Sequence, residues 1–135
     1  MKTIRLIKIL SIVILASNLL VSCHHASGYQ IFLIKVDSIQ VPNALVAKES
    51  FDINFFGTIG SNSCFSFSSF NVKQENANIL IEAWGKAESN VSLTQPVMVY
   101  LTGHKVNYNI QIPGTYNIKI KQPDNTYLEK QIDIK

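Results

Sequence analysis

Apolar and polar positions alternate with a period of two along most of the chain beyond residue 28. The cleanest run comes late, where Val106, Tyr108, Ile110 and Ile112 alternate with Asn107, Asn109 and Gln111. Successive side chains of a strand point to opposite faces, so this pattern predicts a half-buried β-strand. Phe51-Asp52-Ile53-Asn54-Phe55 repeats it, and so do Tyr116, Ile118 and Ile120 against Asn117, Lys119 and Lys121. Tyr29 to Val41 opens with Ile31-Phe32-Leu33-Ile34 and Val36 and stops at the turn signal Pro42-Asn43. Val97-Met98-Val99-Tyr100-Leu101 predicts a strand that a turn at Thr102-Gly103-His104-Lys105 joins to the next in a hairpin. The last strand places Leu128, Ile132 and Ile134 on one face. Lys130 interrupts them, as an inward lysine does when it protects a sheet edge.

Two stretches break the simple pattern. Phe65 and Phe67 share a parity that Phe70 and Val72 do not, and a β-bulge at Ser68-Ser69 restores the common face. Gln74 to Trp84, closed by Gly85, also fits three helical turns. The Ile79-Leu80-Ile81 run after Asn76-Ala77-Asn78 favours a strand, with Lys73 to Asn78 as a polar connection. Trp84 then has two roles open to it, as a buried sandwich tryptophan or as an exposed aromatic at a binding surface. Eight strand candidates at this spacing, with no clear helix, predict an all-β sandwich over residues 29–135.

The first residues follow another rule. Lys2, Arg5 and Lys8 precede the apolar run Ile9 to Ala16, and no acid lies among them. Ser17 and Asn18 end that run well short of the roughly 20 apolar residues a spanning helix needs, so residues 1–22 read as an export signal. Leu20-Val21-Ser22-Cys23 closes it and resembles the lipobox of bacterial lipoproteins. The resemblance implies cleavage before Cys23, a diacylglyceryl group on its sulfur, and usually an acyl group on the new N-terminus. One chain alone binds a membrane only marginally, so such an anchor uses more than one. Residues 23–28 are then the lipidated cysteine and a tether, His24-His25-Ala26-Ser27-Gly28. At about 3.3–3.6 Å per residue it holds the domain within roughly 20 Å of the lipid. His24 is not the aspartate that, by the family rule, retains lipoproteins in the inner membrane, which implies the outer membrane. The tether also lacks the acidic residues that mark surface export in some bacteria, which favours a periplasm-facing domain and leaves surface exposure as the alternative.

Cleavage changes the charge picture. The +3 of the whole chain leaves with Lys2, Arg5 and Lys8, and a neutral domain has no electrostatic footprint for nucleic acid. Cys64 is the other cysteine, so it has no internal partner once Cys23 is lipidated; it is either buried and inert or open to an intermolecular disulfide. His24 and His25 lack a nearby third ligand, with His104 read as a hairpin-tip residue, so neither a metal nor another cofactor is expected. No serine or cysteine stands in a nucleophile motif, and Asp52 and Glu82 fall on solvent-facing parities. No catalytic residue is assigned.

Pro113-Gly114-Thr115-Tyr116-Asn117-Ile118-Lys119-Ile120, followed by a hairpin and a last strand, resembles the end of bacterial immunoglobulin-like domains. The resemblance implies an immunoglobulin-like β-sandwich of about seven to eight antiparallel strands. It gives Tyr116 the role of corner tyrosine, its hydroxyl bonded to backbone. No cysteine pair brackets Trp84, unlike in antibody domains. Asp37-Ser38-Ile39 resembles the O-glycosylation sequon of some bacteria, while Asn90-Val91-Ser92 fits a eukaryotic sequon that a lipobox protein does not normally meet. The expected function is a lipid-anchored, non-catalytic adhesion or assembly module with a protein or glycan partner, its loops at 57–63 and 86–96 on display. The alternative is a periplasmic enzyme inhibitor or small envelope enzyme acting through loop residues.

Overall fold

A computed structural model describes residues 28–89 and 94–135. The leader, Cys23, His24, His25 and the Asn90-Val91-Ser92 sequon lie outside the described residues. The alternating stretches form ten strand segments. They are β1 (Tyr29–Leu33), β2 (Ser38–Gln40), β3 (Ser50–Phe56), β4 (Thr58–Gly60), β5 (Phe65–Glu75), β6 (Asn78–Glu88), β7 (Val99–Tyr100), β8 (Lys105–Asn109), β9 (Gly114–Lys121) and β10 (Tyr127–Ile134). Gly57 alone parts β3 from β4, and these two pair in line with β8 and β7, so the ten segments make eight strands. No helix occurs among the described residues.

The strands stack as an all-β sandwich. In the first sheet β5 lies along one edge of β6. The other edge of β6 is shared: β1 runs antiparallel to Trp84–Glu88 and β9 runs parallel to Asn78–Ile81, with β10 outside β9. The second layer is β2-β3-β8, continued by the β4–β7 pair. Inward residues of both layers, among them Ile53 and Phe55 from β3, Ile79 and Ile81 from β6, and Ile118 and Ile120 from β9, are fully buried. Each contributes on the order of 1.5–3 kcal/mol through removal of apolar surface from water. The β6–β9 register sets Ile79 beside Ile118 and Ile81 beside Ile120. That match holds a short parallel pairing inside an otherwise antiparallel sheet, where only antiparallel neighbours were expected. A second parallel contact, the bridge between Leu45 and Ile134, ties the end of the chain to the loop before β3.

Several boundaries differ from the sequence expectation, each for a visible reason. The segment from Tyr29 to Val41 is not one strand but two, because the chain changes layers between them. Ile34 N–H donates to Ala83 O in the first sheet at 2.8 Å, and Asp37 N–H donates to Phe56 O in the second at 2.8 Å. The crossing passes so close over Gly57 that a Cβ there would stand 2.6 Å from Lys35 O. The helical alternative for Gln74 to Trp84 is not adopted; β5 and β6 form one long hairpin whose turn is only Asn76-Ala77, with Asn76 at φ 56°. Gly85 does not end β6 but lets Phe32 pack on it, since a Cβ would lie 2.6 Å from that ring. The stretch Thr102–His104 is not a hairpin tip: β7 and β8 run in line along the same neighbouring strand, and these residues bulge from between them. The phenylalanine shift is a bulge as the parity required, with the β5–β6 register slipping between Phe67 and Ser69. Ile112, expected on the inward face, is 69% exposed, because the chain has left the second sheet at Ile110 and is crossing back.

Candidate functional site

The outward face of the first sheet is built by the same alternation that fills the core. With Ile79, Ile81 and Ala83 turned in, β6 turns Leu80, Glu82, Trp84 and Lys86 out. Glu82 sits in the middle of that row. Its Oε2 accepts hydrogen bonds from Asn71 Nδ2 at 3.1 Å and Trp84 Nε1 at 3.3 Å, and its Oε1 pairs with Lys121 Nζ at 3.3 Å. The bond from Asn71, helped by Lys121 and Trp84, holds the Glu82 carboxyl below its ordinary range against the opposing effect of burial. Glu82 is thus a fixed anion that orients the Trp84 ring. Trp84 itself is half-buried on this outer face and is not a core tryptophan.

Beside it, β1 sets Leu33 opposite Trp84, Ile31 opposite Lys86 and Tyr29 opposite Glu88. Tyr29 is 63% exposed and Ile31 45%, and Lys86 Nζ stands 6.0 Å from the centre of the Tyr29 ring. The result is a row of apolar and aromatic side chains on a rigid sheet, beginning at Tyr29. Surface of this kind marks contact with another molecule more often than scattered single apolar residues do.

A second polar cluster lies on the outward face of the other layer. Asp52 accepts from Lys105 Nζ at 2.7 Å and from Asn107 Nδ2 at 2.8 Å, and those bonds lower its pKa. It borders an open groove of about 500 Å³ that Val41, Leu45 and Glu49 also line. Asp52 and Glu82 therefore face away from each other on opposite layers and make no carboxylate pair. His104 is half-buried and stacks on Phe67, ring centres 4.1 Å apart at 26°, which is packing between the layers. Cys64 is a free, half-buried thiol. Ser38 is exposed at the start of β2. Tyr116 is buried and donates its hydroxyl proton to Ile112 O at 2.9 Å. Among the described residues no three histidine, cysteine or acidic side chains gather as metal ligands.

Two features were not legible beforehand. Gln122 is buried, with Oε1 accepting from Val36 N–H at 3.1 Å and Nε2 donating to Val36 O at 3.2 Å. Its side-chain amide pairs with the crossing segment as a neighbouring strand would. The expected loop at 57–63 contains β4, and that at 86–96 gives its first residues to β6; among the described residues, 61–63 and 94–98 stay outside the strands, and Val97 and Met98 are exposed. No family model, curated protein or solved structure matches this chain.

Proposed function

We propose that the protein is a lipid-anchored envelope module that binds or assembles with a partner without catalysing a reaction. In this reading Cys23 carries the lipid, the outer membrane holds it, and the domain faces the periplasm. The observation that supports it most is the row of exposed Tyr29 and Ile31 and half-buried Leu33 beside Trp84, held on a rigid sheet at the tether end. An immunoglobulin-like relationship draws support from the Tyr116 hydroxyl bonded to backbone four residues upstream. The parallel β6–β9 pairing is a departure from the antiparallel sheets of that fold.

A second reading, inhibition of a periplasmic enzyme through a loop, draws on exposed Val97 and Met98 next to Tyr100. Fractionation and protease shaving of cells carrying a C-terminally tagged chain test the first reading, with Cys23→Ala as control. The expected result is a membrane-bound tag protected until the outer membrane is opened, and a soluble Cys23→Ala form. A Cys23→Ala form that stays on the membrane contradicts the anchor. Photocrosslinkers at Ile31 and Val97 then separate the two surfaces: capture at Ile31 favours the module, capture at Val97 alone favours the inhibitor.

A further inference from the structure

We infer that β1 is a homodimerisation strand, whose free edge adds antiparallel to β1 of a second copy and joins two first sheets into one. The hydrogen-bond parity comes first. Ile34 N–H donates to Ala83 O at 2.8 Å, and Ser89 N–H donates to Gly28 O at 3.0 Å. Bonded and non-bonded pairs alternate along an antiparallel ladder. Gly28, Gln30, Phe32 and Ile34 therefore turn their backbone groups towards β6, while Tyr29, Ile31 and Leu33 turn theirs to the outer edge. Among the described residues, β1 pairs with β6 alone and no other strand receives those groups.

Among the described residues, the other edges are blunted or very short. β10 carries Glu129, Lys130 and Asp133; β8 begins with Lys105; β5 has Lys73, Glu75 and the bulge; β2 and β4 are only three residues long and β7 two. β1, Tyr29-Gln30-Ile31-Phe32-Leu33, has no charge, no proline and no bulge. An open edge without such devices is a template for another strand.

The sequence of β1 also fits its own copy. A two-fold axis through Ile31 sets Ile31 against Ile31 of the second copy and Tyr29 against Leu33 of the second copy. Gln30 then meets Phe32 of the second copy. No like charges meet, and the outer face gains a continuous apolar row of the kind that stabilises cross-strand pairs. The outward-turned backbone groups of residues 29, 31 and 33 meet their counterparts in register. The pairing places the two chain entries at opposite ends of a five-residue ladder, about 14 Å apart at roughly 3.4 Å per residue step. A tether that reaches roughly 20 Å lets both lipids enter one membrane. That last point rests on the anchor proposed above; the ladder does not.

The test uses the full chain in cells, with Ile31→Cys in a Cys64→Ser background, oxidised and run without reductant. The expected result is a covalent dimer from Ile31→Cys and none from Thr58→Cys, an exposed site on β4. In detergent, sedimentation of the wild type is expected to give a dimer and that of Ile31→Lys, which opposes two like charges, a monomer. A monomeric wild type, a dimer indifferent to Ile31→Lys, or a disulfide from position 31 to a different polypeptide overturns the inference. Adding Cys23→Ala separates the proposals. A dimer crosslink in a form that stays membrane-bound sustains the pairing and overturns the anchor. A form released from the membrane that gives no crosslink, from a parent that gives none either, overturns the pairing and leaves the anchor standing.

Discussion

At the scale of single residues, three side chains connect stability to position. Gln122 bonds both backbone groups of Val36, so Gln122→Leu leaves a buried donor and acceptor unpaired. The expected loss is about 1–3 kcal/mol, read as a lower urea midpoint with unchanged slope. An unchanged midpoint would mean that water replaces the amide. Tyr116→Phe removes one hydroxyl bond to Ile112 O, and about 0.5–1.5 kcal/mol is expected to go with it in the same titration. Glu82 gives a pH dependence. Its carboxyl is held below the ordinary glutamate range by Asn71, then Lys121 and Trp84, so the folded state binds that proton less readily than the unfolded chain. The contribution is fully present above the ordinary glutamate range and is lost as pH falls through the lowered folded value. Glu82→Gln should therefore flatten the acid limb of a stability–pH curve, and curves of equal steepness would show that the ring of donors around Glu82 contributes nothing. Asp52 shifts in the same direction, but its side chain is about twice as exposed as that of Glu82 and more strongly screened.

At the scale of elements, the β5–β6 hairpin shows both what sequence carries and what it hides. The bulge was legible because Phe65 and Phe67 disagree in parity with Phe70 and Val72, and side-chain parity is a strict rule of strands. Deleting Ser69 removes the extra residue and leaves Phe65, Phe67, Phe70 and Val72 on one parity of a regular strand, so the deletion is expected to be tolerated in thermal or urea unfolding. Deleting Ser68 as well sets the two pairs on opposite faces, and a loss comparable to truncating a core phenylalanine, about 3–5 kcal/mol, is expected. A single deletion as costly as the double one would refute the bulge. The alternating β3 and β9 were equally legible, with buried residues on the predicted parity. The errors fall where local pattern meets a tertiary cause. Gly85 looks like a terminator until Phe32 is seen lying on it. Thr102-Gly103 looks like a hairpin turn until β7 and β8 are seen to share one neighbouring strand. Nothing local to Gln122-Pro123-Asp124-Asn125 announces a contact 86 residues away. Of the candidate surface, Trp84 was visible as an aromatic with two possible fates. Its place on the outer face, and the free edge of β1, depend on which strands become neighbours, and pattern alone does not encode that.

At the scale of the whole molecule, the sandwich and its entry strand form one device. Under the anchor proposed above, the chain would enter the first sheet directly as β1, so force at the anchor would act on β1 and the Trp84 face. Gly85→Ala tests that coupling, because the new methyl must displace the Phe32 ring and loosen β1 on β6. Faster amide hydrogen exchange in Gln30 and Phe32, whose N–H groups face β6, is the expected result; exchange equal to wild type would mean that β1 is held by other contacts. The claim on which the functional account depends is that this domain is carried by lipid on Cys23. The most direct measurement is the intact mass of the protein extracted from membranes, followed by identification of its N-terminal peptide. The account predicts a chain that begins at Cys23 and carries the added mass of acyl chains. A chain that retains residues 1–22, or that begins elsewhere without lipid, would contradict it.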